Sequence, residues 1–361
     1  MSRFFHTPFG RQRRQQGMSL IELMVGMLIG LLILGGMVTL FVGNRQTYRY
    51  NEELARLQEN SRFAIEILQR HLRMAGHVGC LTLQEVNGSS PLTIGESIVD
   101  SPQIPIRGMN ALQAAQYSAA APGIVGNAGK TALPGSDVVT LRYGQGASTT
   151  LDTAINEGIN AKTPSIVIRD NALGLKQGEV IVMADCKTAG LARISNTPAT
   201  GNSVALEFKK ATNYNLSDGF EGVTFASDMR IMRMANVSFF VGPSTERITN
   251  RQGAPFNSLY LASEGFNGNA VADEIVEGVV DMIVEYGVPN SPGGEQADSY
   301  KPRASITDWN DVRAIKVTLL LSSVDDGVVN EAQSVTFNGT TYTDRRMYTT
   351  ASTTVSLRRT F

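Results

Sequence analysis

QGMSLIELMVGMLIGLLILGGMVTLFVG, residues 16–43, is the stretch that decides how the rest of the chain can fold. Residues 23–43 are 21 consecutive positions without a charged side chain. An α-helix needs about 20 predominantly apolar residues to cross a hydrocarbon core ~30 Å thick. A secretory signal peptide has a shorter apolar core, closed by a small-residue cleavage site. This run is too long for that and ends in GGMVTLFVGNRQTY, without such a site. It reads as a transmembrane helix. Ahead of it, residues 1–17 contain Arg3, Arg11, Arg13 and Arg14 and no acid. Basic flanks stay cytoplasmic, so the remainder is expected in the periplasm or exterior; Arg45 and Arg49 weaken the bias without reversing it.

Beyond the apolar run the helix is expected to continue. Between Tyr48 and Met74, Leu54, Leu57, Phe63, Ile65, Ile67, Leu68, Leu72 and Met74 recur largely at spacings of three and four, with Glu and Arg between them. That is the pattern of an amphipathic helix, and Gly76 and Gly79 supply stop signals. Residues 18–75 would then form one helix roughly 85 Å long at 1.5 Å per residue, half membrane anchor and half spine of a folded domain.

Composition separates the two ends. The whole chain has 32 basic and 33 acidic residues; without the four leader arginines the balance is 28 to 33, about −5. Nothing in it points to a nucleic-acid surface. Cys80 and Cys186 are too few for a disulfide framework or a four-cysteine zinc site. They read either as one bridge in an oxidising compartment or as two unrelated thiols.

Glu22 stands at the edge of the apolar run. A carboxylate there costs about 2.5–3.5 kcal/mol if it reaches the bilayer centre. Taken alone, it reads equally as a side chain snorkelling to the headgroups and as a functional group. Its neighbours decide. Gln16-Gly17-Met18-Ser19-Leu20-Ile21-Glu22 resembles the class III signal of type IV prepilins: a short basic leader ending in Gly, a hydrophobic residue, and a Glu five positions into the mature chain. The resemblance implies cleavage by a prepilin peptidase between Gly17 and Met18, N-methylation of Met18, and an assembly role for Glu22. Major pilins of that family mostly have Phe where Met18 stands, whereas many minor pilins have Met. A free amine and a carboxylate, each costly alone in an apolar core, are tolerable as a pair.

The body, residues 76–361, shifts toward Gly, Ser, Thr, Asn and Ala. Residues 86–136 read as loops, with a short helix at 110–117. Strand-like runs follow at 137–143, 165–169, 179–184, 203–208, 230–241, 258–262, 281–288, 312–323, 334–337 and 348–357, divided by Gly, Asn and Pro clusters. Strands without long helices between them argue an α+β fold: a large antiparallel β-rich, periplasmic domain packed on the N-terminal helix. Residues 290–302 read as an exposed loop.

Five blocks narrow the resemblance: DVVTLRYG (137–144), GEVIVMADC (178–186), EIVEGVVDMIVEYGV (274–288), WNDVRAIKVTLLLSS (309–323) and RRMYTTASTTVSLRR (345–359). In this order they look like the PilW family of type IV pilus minor pilins, with a more distant likeness to the J-type pseudopilins of type II secretion. Cys80 and Cys186 fall where PilW-like proteins often have cysteines, which implies one disulfide. The family reading implies a minor pilin that primes pilus growth near the tip, with prepilin peptidase, major and other minor pilins, a tip adhesin and the inner membrane as partners, and no cofactor.

Catalytic signatures are absent: there is no G-x-S-x-G, Walker loop, H-E-x-x-H or C-x-x-C. His71 and His77 read as surface histidines, Asp325-Asp326-Gly327 as a turn, Asn87-Gly and Asn338-Gly as turns, and Trp309 as a core or interface anchor. Two alternatives stand beside the pilus reading. One is a minor pseudopilin of type II secretion. The other is a single-pass membrane-anchored periplasmic enzyme or receptor, which requires an uncleaved leader and a catalytic cluster.

Overall fold

Leu20–Met74 form a single α-helix, α1, as the apolar run and the spacing that follows it predict. The computed structural model describes residues 19–82, 106–109, 130–152, 165–210, 215, 228–264, 270–291 and 293–357. The expected helix at 110–117 and the Asn87-Gly turn lie outside these. The chain divides into two units, one ending at Glu52 and one beginning at Glu53.

In the second unit, α1 buries Leu57, Ala64, Leu68 and Leu72, a stripe at spacings of seven, four and four. Leu54, Ile67 and Met74 pack partly against the same core. Phe63, expected on this face, is 49% exposed, and Ala64 beside it is buried instead. A methyl at that position lets the helix backbone approach the sheet, which a phenyl ring would hold off. Burying each leucine contributes about 1.5–3 kcal/mol. The helix stops at Gly76, whose φ of 76° is the left-handed conformation glycine adopts without a Cβ penalty. The Gly76 N–H donates to Arg142 O at 2.7 Å, tying the helix end to the sheet.

A short hairpin follows, β1 (His77–Val78) and β2 (Leu81–Thr82). The larger sheet contains β3 (Ile106–Met109), β4 (Val138–Thr150), β6 (Val180–Ala184), β7 (Ala189–Arg193), β9 (Arg230–Pro243), β10 (Asn257–Glu264) and β11 (Ala270–Glu277). Its path is β11-β10-β9-β4-β3, with β6 pairing the start of β9, and β7 pairing β6. β9 can hold two neighbours along one edge because it is 14 residues long: residues 230–233 pair β6 and residues 237–243 pair β10. The second sheet is β13 (Ser299–Pro302), β12 (Val279–Val288), β14 (Ala314–Ser322) and β17 (Tyr348–Ser356), in the order β13-β12-β14-β17. Two more pairs complete the described fold, β5 (Ser165–Asp170) with β8 (Asn202–Glu207) and β15 (Gln333–Phe337) with β16 (Thr340–Asp344). Every strand pair is antiparallel, so the architecture is the α+β one expected: a long N-terminal helix and an antiparallel β-rich domain.

All ten expected strands are present, nine of them within two residues at either end; β4, expected at 137–143, runs on to Thr150. β1, β2, β3, β7, β11, β13 and β16 lie where the sequence reading placed none, β3 within the 86–136 stretch read as loop and β13 at the end of the expected 290–302 loop. The passage from one sheet to the other is made at Gly278, with φ of 77° and a position where a Cβ would stand 2.6 Å from Ser322 O. No other residue type fits that step without moving the neighbouring strand. The stripe of α1, Leu141 and Phe239 of the first sheet, and Met282, Val317 and Leu319 of the second meet in one apolar cluster.

Candidate functional site

Glu22 lies in the first turn of α1, where the Leu23 N–H donates to Ser19 O at 3.1 Å. Acidic groups near a helix N-terminus are favoured by the unpaired N–H groups there. Glu22 is the one charged residue between Leu20 and Gly43, and the apolar side chains around it are exposed: Leu20 77%, Ile21 70%, Met24 62%. None of the most apolar window of this helix is buried. An exposed apolar cylinder of this length needs a bilayer or other helices to cover it. Gly17 and Met18 lie outside the described residues.

The second half of α1 is held by polar as well as apolar contacts. Asn60 Nδ2 donates to Glu277 O at 3.2 Å, and Gln69 Nε2 donates to Thr353 Oγ1 at 2.9 Å. His71, expected on the surface, sits instead in the helix–sheet contact. Its Nδ1 is 2.7 Å from the Tyr143 hydroxyl, and its ring meets Phe239 edge-on at 5.3 Å. Burial lowers its pKa, with Arg70 adding to the effect.

Cys80 and Cys186 are joined in a disulfide, Cα to Cα 5.0 Å. Cys80 lies in the β1–β2 turn immediately after the helix. Cys186 lies in the β6–β7 turn, which Asp185 shapes: its Oδ1 accepts the Lys187 and Thr188 N–H groups, both at 2.7 Å. Val78 packs with Val180, Val182, Leu191 and Met232 beside the bridge. The bond thus fastens the end of the anchor helix to the far hairpin of the larger sheet.

Further polar sites were not legible beforehand. Glu274 accepts hydrogen bonds from Ser244 Oγ, Ser258 Oγ, Tyr260 Oη and the Thr245 and Glu246 N–H groups, at 2.7–3.1 Å. These bonds outweigh its burial and lower its pKa. Arg247 lies 3.7 Å from Glu277 and 3.6 Å from the buried Asp325, which Arg251 also approaches at 3.1 Å. Arg247, Glu277 and Asp325 line a cavity of about 370 Å³ beside Asn60 of the helix. Asp325 belongs to the turn read from its sequence. Trp309 packs edge-on against the buried Tyr286, centroids 4.9 Å apart, under the Arg303 guanidinium. Among the described residues, no group of three or more His, Cys, Asp or Glu is placed to hold a metal ion.

An exposed apolar helix with one carboxylate near its start, followed by an antiparallel β-rich domain, is consistent with membrane anchoring. Residues 12–38 match the prokaryotic N-terminal methylation motif, and residues 244–359 match the type IV pilus-assembly protein W. Together the two matches describe a PilW-like prepilin, a minor-pilin-like subunit of the type IV pilus of the kind processed by prepilin peptidase. They cover the two ends of the chain; the blocks at 137–144 and 178–186 fall outside them. Neither a curated protein nor a solved structure matches the chain.

Proposed function

We propose that the protein is made as an inner-membrane precursor with residues 1–17 as a cytoplasmic leader, residues 18–75 as the assembly helix and residues 76–361 as a periplasmic domain. A prepilin peptidase cuts between Gly17 and Met18 and methylates the Met18 amine. The subunit then joins other pilins as a minor, non-enzymatic component that primes the filament and stays near its tip, in reach of a tip adhesin. The observation that carries this reading is the lone Glu22 in the otherwise uncharged stretch Leu20–Gly43 of the helix, whose most apolar window has no buried residue. In the membrane or the filament core its carboxylate pairs with the amine of residue 18, its own or a neighbour's, and the pairing relieves two costly charges at once. Assembly is therefore favoured over the isolated subunit. The match at residues 244–359 favours the pilus over a secretion system.

Glu22→Ala tests the role of the carboxylate. Cleavage at Gly17 and the fold of the β domain should be unchanged, since neither uses that carboxylate. Incorporation into pili should fall, and with it pilus number. Wild-type piliation and incorporation, in cells lacking the native copy, would reduce Glu22 to a tolerated interfacial residue.

A further inference from the structure

Among the described residues, β17 is an unprotected sheet edge. Its nine residues, YTTASTTVS, contain no charge, no proline and no glycine, and they pair with β14 from end to end without a register shift. The other edges of the two large sheets are blunted in the ways natural sheets use against unwanted pairing. β13 and β3 are four residues long, β13 with Lys301 and Pro302, and β7 is five. β11 carries Asp273, Glu274 and Glu277 and is itself bulged at Ile275, and two of its carbonyls are capped: Lys130 Nζ donates to Ala272 O at 2.6 Å, and Asn60 Nδ2 to Glu277 O.

The hydrogen-bonding direction of β17 is fixed at both ends. Met347 O accepts from the Ser323 N–H, and the Leu357 N–H donates to Arg313 O, both at 2.8 Å. Odd-numbered residues therefore turn their backbone groups toward β14. By the alternation of an antiparallel strand, those of Tyr348, Thr350, Ser352, Thr354 and Ser356 turn away from it. No backbone hydrogen bond joins them to another described residue. The side chains of Thr350, Ser352, Thr354 and Ser356 are exposed.

We propose that β17 is a docking edge that accepts an extended strand of a different protein by β-strand addition. Charge selects the occupant. Arg345, exposed, and Arg346, 3.7 Å from Asp344, precede the strand, and Arg358 and Arg359 follow it in sequence. Residues 345–359 carry four arginines and no carboxylate, so two copies of this segment repel each other. A strand that is uncharged through its centre and carries carboxylates at both ends satisfies the outward backbone groups and complements that charge. Main-chain bonds supply the affinity, and the ends supply the selection.

The test uses the full-length chain in detergent and the peptide Asp-Asp-Thr-Val-Thr-Val-Thr-Val-Thr-Asp-Asp, with a version carrying Lys in place of each Asp. Hydrogen exchange resolved over residues 348–356 is the readout. The Asp-flanked peptide should slow exchange at the outward amides by about tenfold or more, and the Lys-flanked one should not. Ser352→Pro removes one outward N–H without touching the β14 ladder. It should abolish that protection while leaving the unfolding midpoint unchanged. No protection, equal protection by the two peptides, or protection retained in Ser352→Pro would overturn the proposal. Outward amides already protected in the isolated chain would do the same, as would protection that grows with its concentration alone.

Discussion

Asp137→Asn should stabilise this protein at neutral pH, because the native carboxylate is held where its charge is costly. Asp137 immediately precedes β4 and bonds to β12: its N–H donates to Met282 O at 3.0 Å, and the Val284 N–H donates to its Oδ2 at 2.8 Å. Burial raises its pKa from 3.8 to about 6, against the lowering effect of the Val284 N–H; the neighbouring Asp281 adds to the rise. A carboxyl with a raised folded-state pKa holds its proton more tightly folded than unfolded. Its contribution is therefore fully present below about pH 3.8 and is lost as pH rises through that value to about 6. At 1.36 kcal/mol per unit, the shift corresponds to at most about 3 kcal/mol at pH 7. Asparagine keeps an oxygen for the Val284 N–H and carries no charge, so the expected gain is about 1–3 kcal/mol at pH 7, falling toward zero near pH 4. Denaturant unfolding of the full chain in detergent, followed by the fluorescence of the single tryptophan, Trp309, reads this directly, since its ring packs on Tyr286 of β12. Subtracting the two proteins cancels other titrations, His71 among them. Parallel stability curves between pH 4 and 7, or a less stable variant at pH 7, would refute the reasoning.

The remaining predictions concern packing and the covalent link. Replacing both Cys80 and Cys186 with Ser should cost up to about 4–5 kcal/mol, the chain-entropy value for a loop of this length; the bridge spans 106 residues. Reducing the wild type should reproduce the loss, and an unchanged denaturation midpoint would exclude the bridge as a stabilising link. Leu68→Ala removes a side chain with no exposure from the helix–sheet core. It should cost about 2–5 kcal/mol in the same assay, whereas Phe63→Ala, on the open face of the helix, should cost under about 1 kcal/mol.

The anchor was legible because a membrane span is decided by composition over some twenty residues, and one sequence window holds all the information. The ten expected strands were legible for a related reason: runs such as VVTL, VIVMA and VTLLLSS are dense in the side chains that fill a pleated, buried surface. β7 reads AGLAR and carries no such signal; it is a strand because β6 and the disulfide-linked turn hold it, and all five of its residues are buried. β11 was hidden by its acids, and only the fold brings Ser244, Ser258 and Tyr260 to Glu274. At Asn338-Gly339 the turn was read, and both residues have positive φ, 49° and 75°, as a tight hairpin turn requires. The polar returning strand β16 was missed because Thr-rich segments alternate too weakly to mark a face. The Asp137–β12 contact joins residues 147 apart and leaves no local trace.

Mass spectrometry of the mature N-terminus, on protein from cells with an active prepilin peptidase, tests the central claim most directly. The account predicts a chain that begins at N-methyl-Met18, with residues 1–17 removed and Glu22 as its fifth residue. A chain that begins at Met1, or one cut beyond the apolar run, would contradict it.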